Sequence, residues 1–112
     1  MHYDYRREDD EPLYDDESAT GFSVSCQWLE KRQCFHFEMY AEDGTSYSGL
    51  CYASFLTGLA VQLALTKSGE RPTIQVDGGP VFDCFDDPGR RAAVIHFLLE
   101  VVSAWKHTRY RN

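Results

Sequence analysis

In the stretch CFHFEMY, residues 34–40, His36 and Glu38 stand two apart. On a strand that spacing puts both on one face, and an imidazole beside a carboxylate can share a proton with it. Tyr40 continues the same row. Acid–base work at such a pair also needs a third group to orient the ring. The sequence names no such group, and it carries no GxSxG, HExxH or Gly-rich phosphate-loop pattern. DGGP at 77–80 reads as a hairpin turn, because no helix follows it directly to receive a phosphate. A small hydrolase-like enzyme built on His36 and Glu38 is therefore the least favoured reading, and the chain is expected not to be an enzyme.

Thiol and metal chemistry are equally sparse. Cys26, Cys34, Cys51 and Cys84 show no CxxC spacing, and His2, His36, His96 and His107 form no finger pattern, so neither a metal nor another cofactor is expected. Strand parity puts Cys34 on the open face of a sheet. Cys26, Cys51 and Cys84 read as small core residues. No apolar leader or membrane-length window interrupts the chain, and the expectation is a cytoplasmic protein with reduced thiols.

The strongest compositional signal is electrostatic. Glu8–Glu17 holds seven acids in ten residues. Residues 1–18 carry eight acids against Arg6 and Arg7, a balance of −6 out of −7 for the whole chain, so the remainder is close to neutral. Such a charge disfavours direct contact with nucleic acid and suits a protein with a basic surface, including one that itself holds nucleic acid. Residues 1–20 are read as an acidic tail, disordered or ordered by a partner, and 21–112 as a single α+β domain. Asp9, Asp10, Glu11, Asp15, Asp16 and Glu17, with Tyr14 among them, are the expected partner-binding residues of the tail. A basic group on the last helix (Arg90, Arg91, Lys106, Arg109, Arg111) offers the tail a docking surface within the same chain.

The elements that would position these residues follow from periodicity. FSVSCQWL alternates with Phe22, Val24, Cys26 and Trp28 on one side, and CFHFEMYA with Phe35, Phe37 and Met39. TSYSGLCYA supplies a third strand after the tight turn EDG, where Gly44 is free to take positive φ. A four-residue loop at 30–33 pairs Cys26 with Phe37 and Val24 with Met39. A three-residue loop at 42–44 pairs Met39 with Tyr47, Phe37 with Gly49 and Phe35 with Cys51. SFLTGLAVQLAL reads as a helix capped by Ser54, with Phe55, Leu56, Leu59, Ala60, Val61, Leu63 and Leu65 in a wide apolar stripe. TIQV and VFDCF form a hairpin. Asp86 or Asp87 followed by Pro88 starts a last helix, with Val94, Ile95, Leu98, Leu99, Val102 and Trp105 inside. The expected fold is α+β: an antiparallel sheet, three-stranded meander plus hairpin, with two helices on one face, in the order β-β-β-α-β-β-α.

The open face would then show His36, Glu38, Tyr40 and Tyr52 among serines, a mixture of rigid contact area and adaptable hydrogen bonding. Those four complete the expected partner-binding set. Leu50 and Tyr52 on this face are also the place where a homodimer would form. IQVDGGPVF followed by a helix ending LLEVVSAWKH resembles, in element order, the small acidic dimeric chaperones of type III secretion. That resemblance implies a homodimeric carrier of an effector client, although the family opens on an apolar amphipathic helix where this chain has its acidic segment. The leading expectation is a small acidic module of the immunity or phage anti-defence kind, inhibiting a partner protein by steric and electrostatic occlusion.

Overall fold

The computed structural model describes residues 2–7, 21–66, 74–75, 79–83, 85 and 87–109. Their order is β1 (His2–Arg7), β2 (Ser23–Leu29), β3 (Cys34–Tyr40), β4 (Ser46–Cys51), α1 (Ala53–Leu65), β5 (Ile74–Gln75), β6 (Val81–Phe82) and α2 (Pro88–Arg109). The class is α+β. A four-stranded mixed sheet runs β1-β2-β3-β4, and β5 and β6 pair apart from it as a two-stranded sheet.

The meander has the register that its loops demand. Cys26 opposes Phe37 and Val24 opposes Met39, while Met39, Phe37 and Phe35 oppose Tyr47, Gly49 and Cys51. At the first loop Gln33 enters the left-handed region (φ 54°), and its N–H closes on the Leu29 carbonyl at 2.8 Å. At the second, Gly44 takes φ 91°. There Asp43 accepts the Thr45 N–H at 2.8 Å.

One strand was not anticipated. His2–Arg7 lies in the sheet, parallel to β2, with Tyr3 beside Val24 and Tyr5 beside Cys26. Its pattern is period two: Tyr3 and Tyr5 pack on the core while Asp4 and Arg6 take the other side. Tyr3 meets Phe22 and Phe97 with ring centroids 6.4 and 5.6 Å apart. The sheet is therefore mixed rather than antiparallel, and the order gains a leading strand. The acidic run that follows, 8–20, lies outside the described residues.

Both helices pack on the core face. Phe55 of α1 meets Phe37 at 5.6 Å, and Trp105 of α2 meets Trp28 and Phe35 at 5.4 and 5.9 Å. α1 buries Leu56, Leu59, Ala60 and Leu63, whereas Val61 and Leu65 are exposed. Five and nine residues beyond Leu56, they turn about 140° and 180° away from the sheet. Leu99 stands about 140° from buried Val94 for the same reason and is exposed too. Ser54 is not a cap: the helix starts after Tyr52, which makes no side-chain cap bond. Asp87 is the cap of α2, accepting the Gly89 and Arg90 N–H groups at 3.3 and 3.1 Å, with Pro88 at the first helical position. Ile74, Phe82 and Phe85 complete the core from the hairpin side. Among the described residues, no helix is long and apolar enough to cross a membrane.

Candidate functional site

The sheet face away from the helices is built row by row from the strand register. Asp4 stands beside Ser25, across from Glu38 and then Ser48. Arg6, Gln27, His36 and Leu50 form the next row, and Ser23, Tyr40 and Ser46 a third. Acidic and basic positions thus alternate along the strands. Asp4 and Arg6 join across two residues at 3.3 Å. Exposure rises across the sheet: the Asp4 side chain is 14% exposed, against 44% for Tyr40, 49% for Leu50 and 69% for Tyr52. The accessible part of the face is therefore over β3 and β4.

His36 sits in that part. Its Nε2 is 2.9 Å from Ser48 Oγ and 3.6 Å from Glu38 Oε1. The hydroxyl and the carboxylate approach the same ring nitrogen. A relay of the Ser–His–acid type needs them on opposite nitrogens, the acid fixing the tautomer at Nδ1 while Nε2 takes the hydroxyl proton. Here Glu38 competes with Ser48, and a proton on Nε2 satisfies one or the other. The arrangement suits hydrogen bonding to a ligand or protein better than activation of Ser48. Ser48 was missed as a neighbour of His36, although β3–β4 parity places it one diagonal away.

The cysteines sort differently from the parity rule. Cys34 is buried at 7% exposure rather than open, yet it stands apart from the main core cluster. It lies at the closed end of the β2–β3 hairpin, opposite Leu29. Cys26, Cys34 and Cys51 are all free thiols. Burial, with Cys34 nearby, pushes the Cys51 thiol up to about 12. Burial pushes Cys26 up further. Neither presents a thiolate at neutral pH. Among the described residues, no three His, Cys, Asp or Glu come together as metal ligands.

The basic group expected on α2 does not form one surface. Arg90 and Lys106 are sixteen residues apart, about 24 Å along a helix axis. Arg90 turns back to the β3–β4 turn, where it pairs with both carboxylate oxygens of Glu42 and stacks 4.6 Å over the Phe22 ring. Arg91 donates to the Phe85 carbonyl at 3.3 Å. Arg111 lies outside the described residues, as do Asp9, Asp10, Glu11, Tyr14, Asp15, Asp16 and Glu17. A groove of about 500 Å³ runs between β1 and α2, lined by Tyr5, Phe97, Val101 and Ala104 with Glu100, Ser103 and His107 at its rim. It depends on β1 and so could not be anticipated without that strand.

No family model matches the sequence. Neither the curated proteins nor the solved structures yield a match. The likeness to secretion chaperones thus stays one of element order, and β1 occupies the place of that family's first helix.

Proposed function

We propose that the chain is a non-enzymatic protein-binding module that neutralises a partner by covering its basic surface, in the manner of an immunity or anti-defence protein of the cytoplasm. The observation that carries this reading is the accessible patch over β3 and β4. Tyr40 and Tyr52 are exposed there beside His36, Glu38 and Ser48. Tyrosines supply large contact area with few rotors, and the polar groups between them supply direction. His36 and Glu38 at 3.6 Å can each receive a complementary group from a partner, Glu38 a guanidinium and His36 a hydroxyl or carboxylate.

The acidic residues Asp9, Asp10, Glu11, Asp15, Asp16 and Glu17, with Tyr14, supply attraction at range. They are tied to the sheet on both sides, at Arg7, level with Trp28, and at Gly21, just before Ser23, which is level with His2. Charge of that density accelerates encounter with a basic protein and is screened beyond roughly 10 Å at 0.1 M salt. The partner is a protein with a basic surface, including one whose groove holds nucleic acid.

The test is capture from the native host on immobilised chain, followed by titration of the retained protein. The reading expects one folded protein, released as salt rises from about 0.05 to 0.5 M, with affinity lost in Tyr40→Ser and Glu38→Lys. Retention of an unfolded client, or turnover that disappears in His36→Ala while the fold persists, overturns it.

A further inference from the structure

β1 and β4 are the two edges of the four-stranded sheet, and they are guarded differently. Three of the six residues of β1 are charged: Asp4, Arg6 and Arg7. Natural edges are protected in this way, because an open row of N–H and C=O groups will pair with any strand that reaches it. β4, SYSGLC, has no side chain charged at neutral pH. It also lacks proline, and its register with β3 runs from Phe35–Cys51 to Tyr40–Ser46 without the offset of a bulge. Leu50 and Tyr52 stand 49% and 69% exposed along it. At Gly49 the Tyr47 ring fills the space a side chain would take, its Cζ 2.9 Å from where a Cβ would stand. The middle of the edge therefore carries no side chain of its own, and the Tyr47 ring lies over it on one face.

We propose that β4 pairs antiparallel with β4 of a second copy, joining two sheets into one of eight strands with all four helices on the same side. A second copy is the occupant the charge distribution favours. Six of the seven net negative charges lie in residues 1–18, so the near-neutral remainder meets its twin with little repulsion, and β4 is an edge where no like charges meet. Twofold antiparallel pairing asks only that a strand complement itself. Six residues on each side supply the backbone bonds, and Leu50 and Tyr52 of each copy cover serines of the other, since opposed residues share a face. Leu50, Tyr52 and Ser48 also belong to the patch assigned to a partner, so pairing of two copies would cover part of that patch; the two readings are told apart because self-association is measured on the chain alone.

Light scattering on the full chain, with amide hydrogen exchange at low and high concentration, decides it. Twice the chain mass is expected by roughly 200 µM, together with slower exchange at amides between 45 and 52 as concentration rises. Leu50→Glu places two like charges at the seam and raises the dissociation constant about tenfold or more. Near-UV circular dichroism confirms that the variant is folded. The exchange measurement on the unaltered chain stands even if the variant is not. A monomer at the highest concentration overturns the proposal. So does a dimer whose β4 amides exchange at the monomer's rate, or a β4 edge found paired with a strand of another protein.

Discussion

Tyr3→Ala tests whether β1 belongs to the cooperative fold. Tyr3 is partly buried against the core and touches Phe22 and Phe97 at 6.4 and 5.6 Å. A fully buried aromatic covers 150–250 Å², so a half-buried tyrosine gives up about 100 Å², or about 2.5 kcal/mol at 25 cal/mol per Å². Part of that area is already covered in the unfolded chain, which brings the figure to about 2 kcal/mol. In a domain of this size the midpoint of thermal unfolding should fall by about 8–12 °C. The urea midpoint should fall by roughly 1.5 M. Urea unfolding followed by fluorescence of Trp28 and Trp105, whose rings are 5.4 Å apart, reads the core directly. Phe97→Ala and the double variant complete a cycle, and a coupling of about 0.5–1.5 kcal/mol is expected between the two rings. If Tyr3→Ala changes global stability by less than about 0.5 kcal/mol, β1 opens separately from the core. The packing argument for it then fails.

Three further outcomes follow from the same contacts. Arg90→Met should lower stability by about 1–2 kcal/mol by removing the stacking on Phe22 and the pair with Glu42, measured by urea titration at pH 7. Hydrogen bonding from Arg90 holds the Glu42 carboxyl below its ordinary value. Its stabilising share is thus present above the unfolded value and lost as pH falls through the folded one, so the gap between Arg90→Met and the parent should narrow towards pH 3, below the unfolded carboxylate value of about 4.3. Cys51, pushed up to about 12 from 9.0, should alkylate at pH 8 about a hundredfold or more slower in the folded chain than in denaturant. Stability should decline with rising pH between those two values, because only the unfolded thiol ionises there; equal alkylation rates would refute the burial. Gln33→Gly should be neutral or stabilising by up to about 1 kcal/mol, since the residue sits at φ 54°, where glycine carries no steric penalty; a loss beyond 1 kcal/mol would show that the Gln33 side-chain bond to the Glu30 carbonyl outweighs the strain.

The meander was legible because two facts constrain it at once. Strand parity fixes which residues share a face, and each loop length fixes which residues oppose; Cys26–Phe37 and Phe37–Gly49 satisfy both. β1 was hidden by its neighbour. The alternation of Tyr3 and Tyr5 with Asp4 and Arg6 is a strand signal, but the acids from Glu8 onward absorbed it into a tail when charge alone was counted. Parallel pairing adds to the difficulty, since no short turn marks it. Cys34, 7% exposed, shows the limit of parity: it decides the side a residue faces, not how far the rest of the chain covers that side. On α2, residue type placed the arginines outside. It could not show Arg90 reaching the β3–β4 turn, because Glu42 is 48 positions away. Of the expected contact residues, His36, Glu38, Tyr40 and Tyr52 fall on one face, with Ser48 brought in by the fold.

The ring contact between Tyr3 and Phe97 has a bearing on how the chain is made. A ribosome releases residue 3 long before residue 97, at roughly 5–20 residues per second, so the leading strand waits several seconds for the helix that completes its seat. The meander and α1 bring together only near neighbours and can assemble during that interval. A nascent chain stalled before α2 would therefore hold its first segment by the pairing with β2 alone, with Tyr3 uncovered on the Phe97 side, and trimming the finished protein inside that last helix should uncover it again.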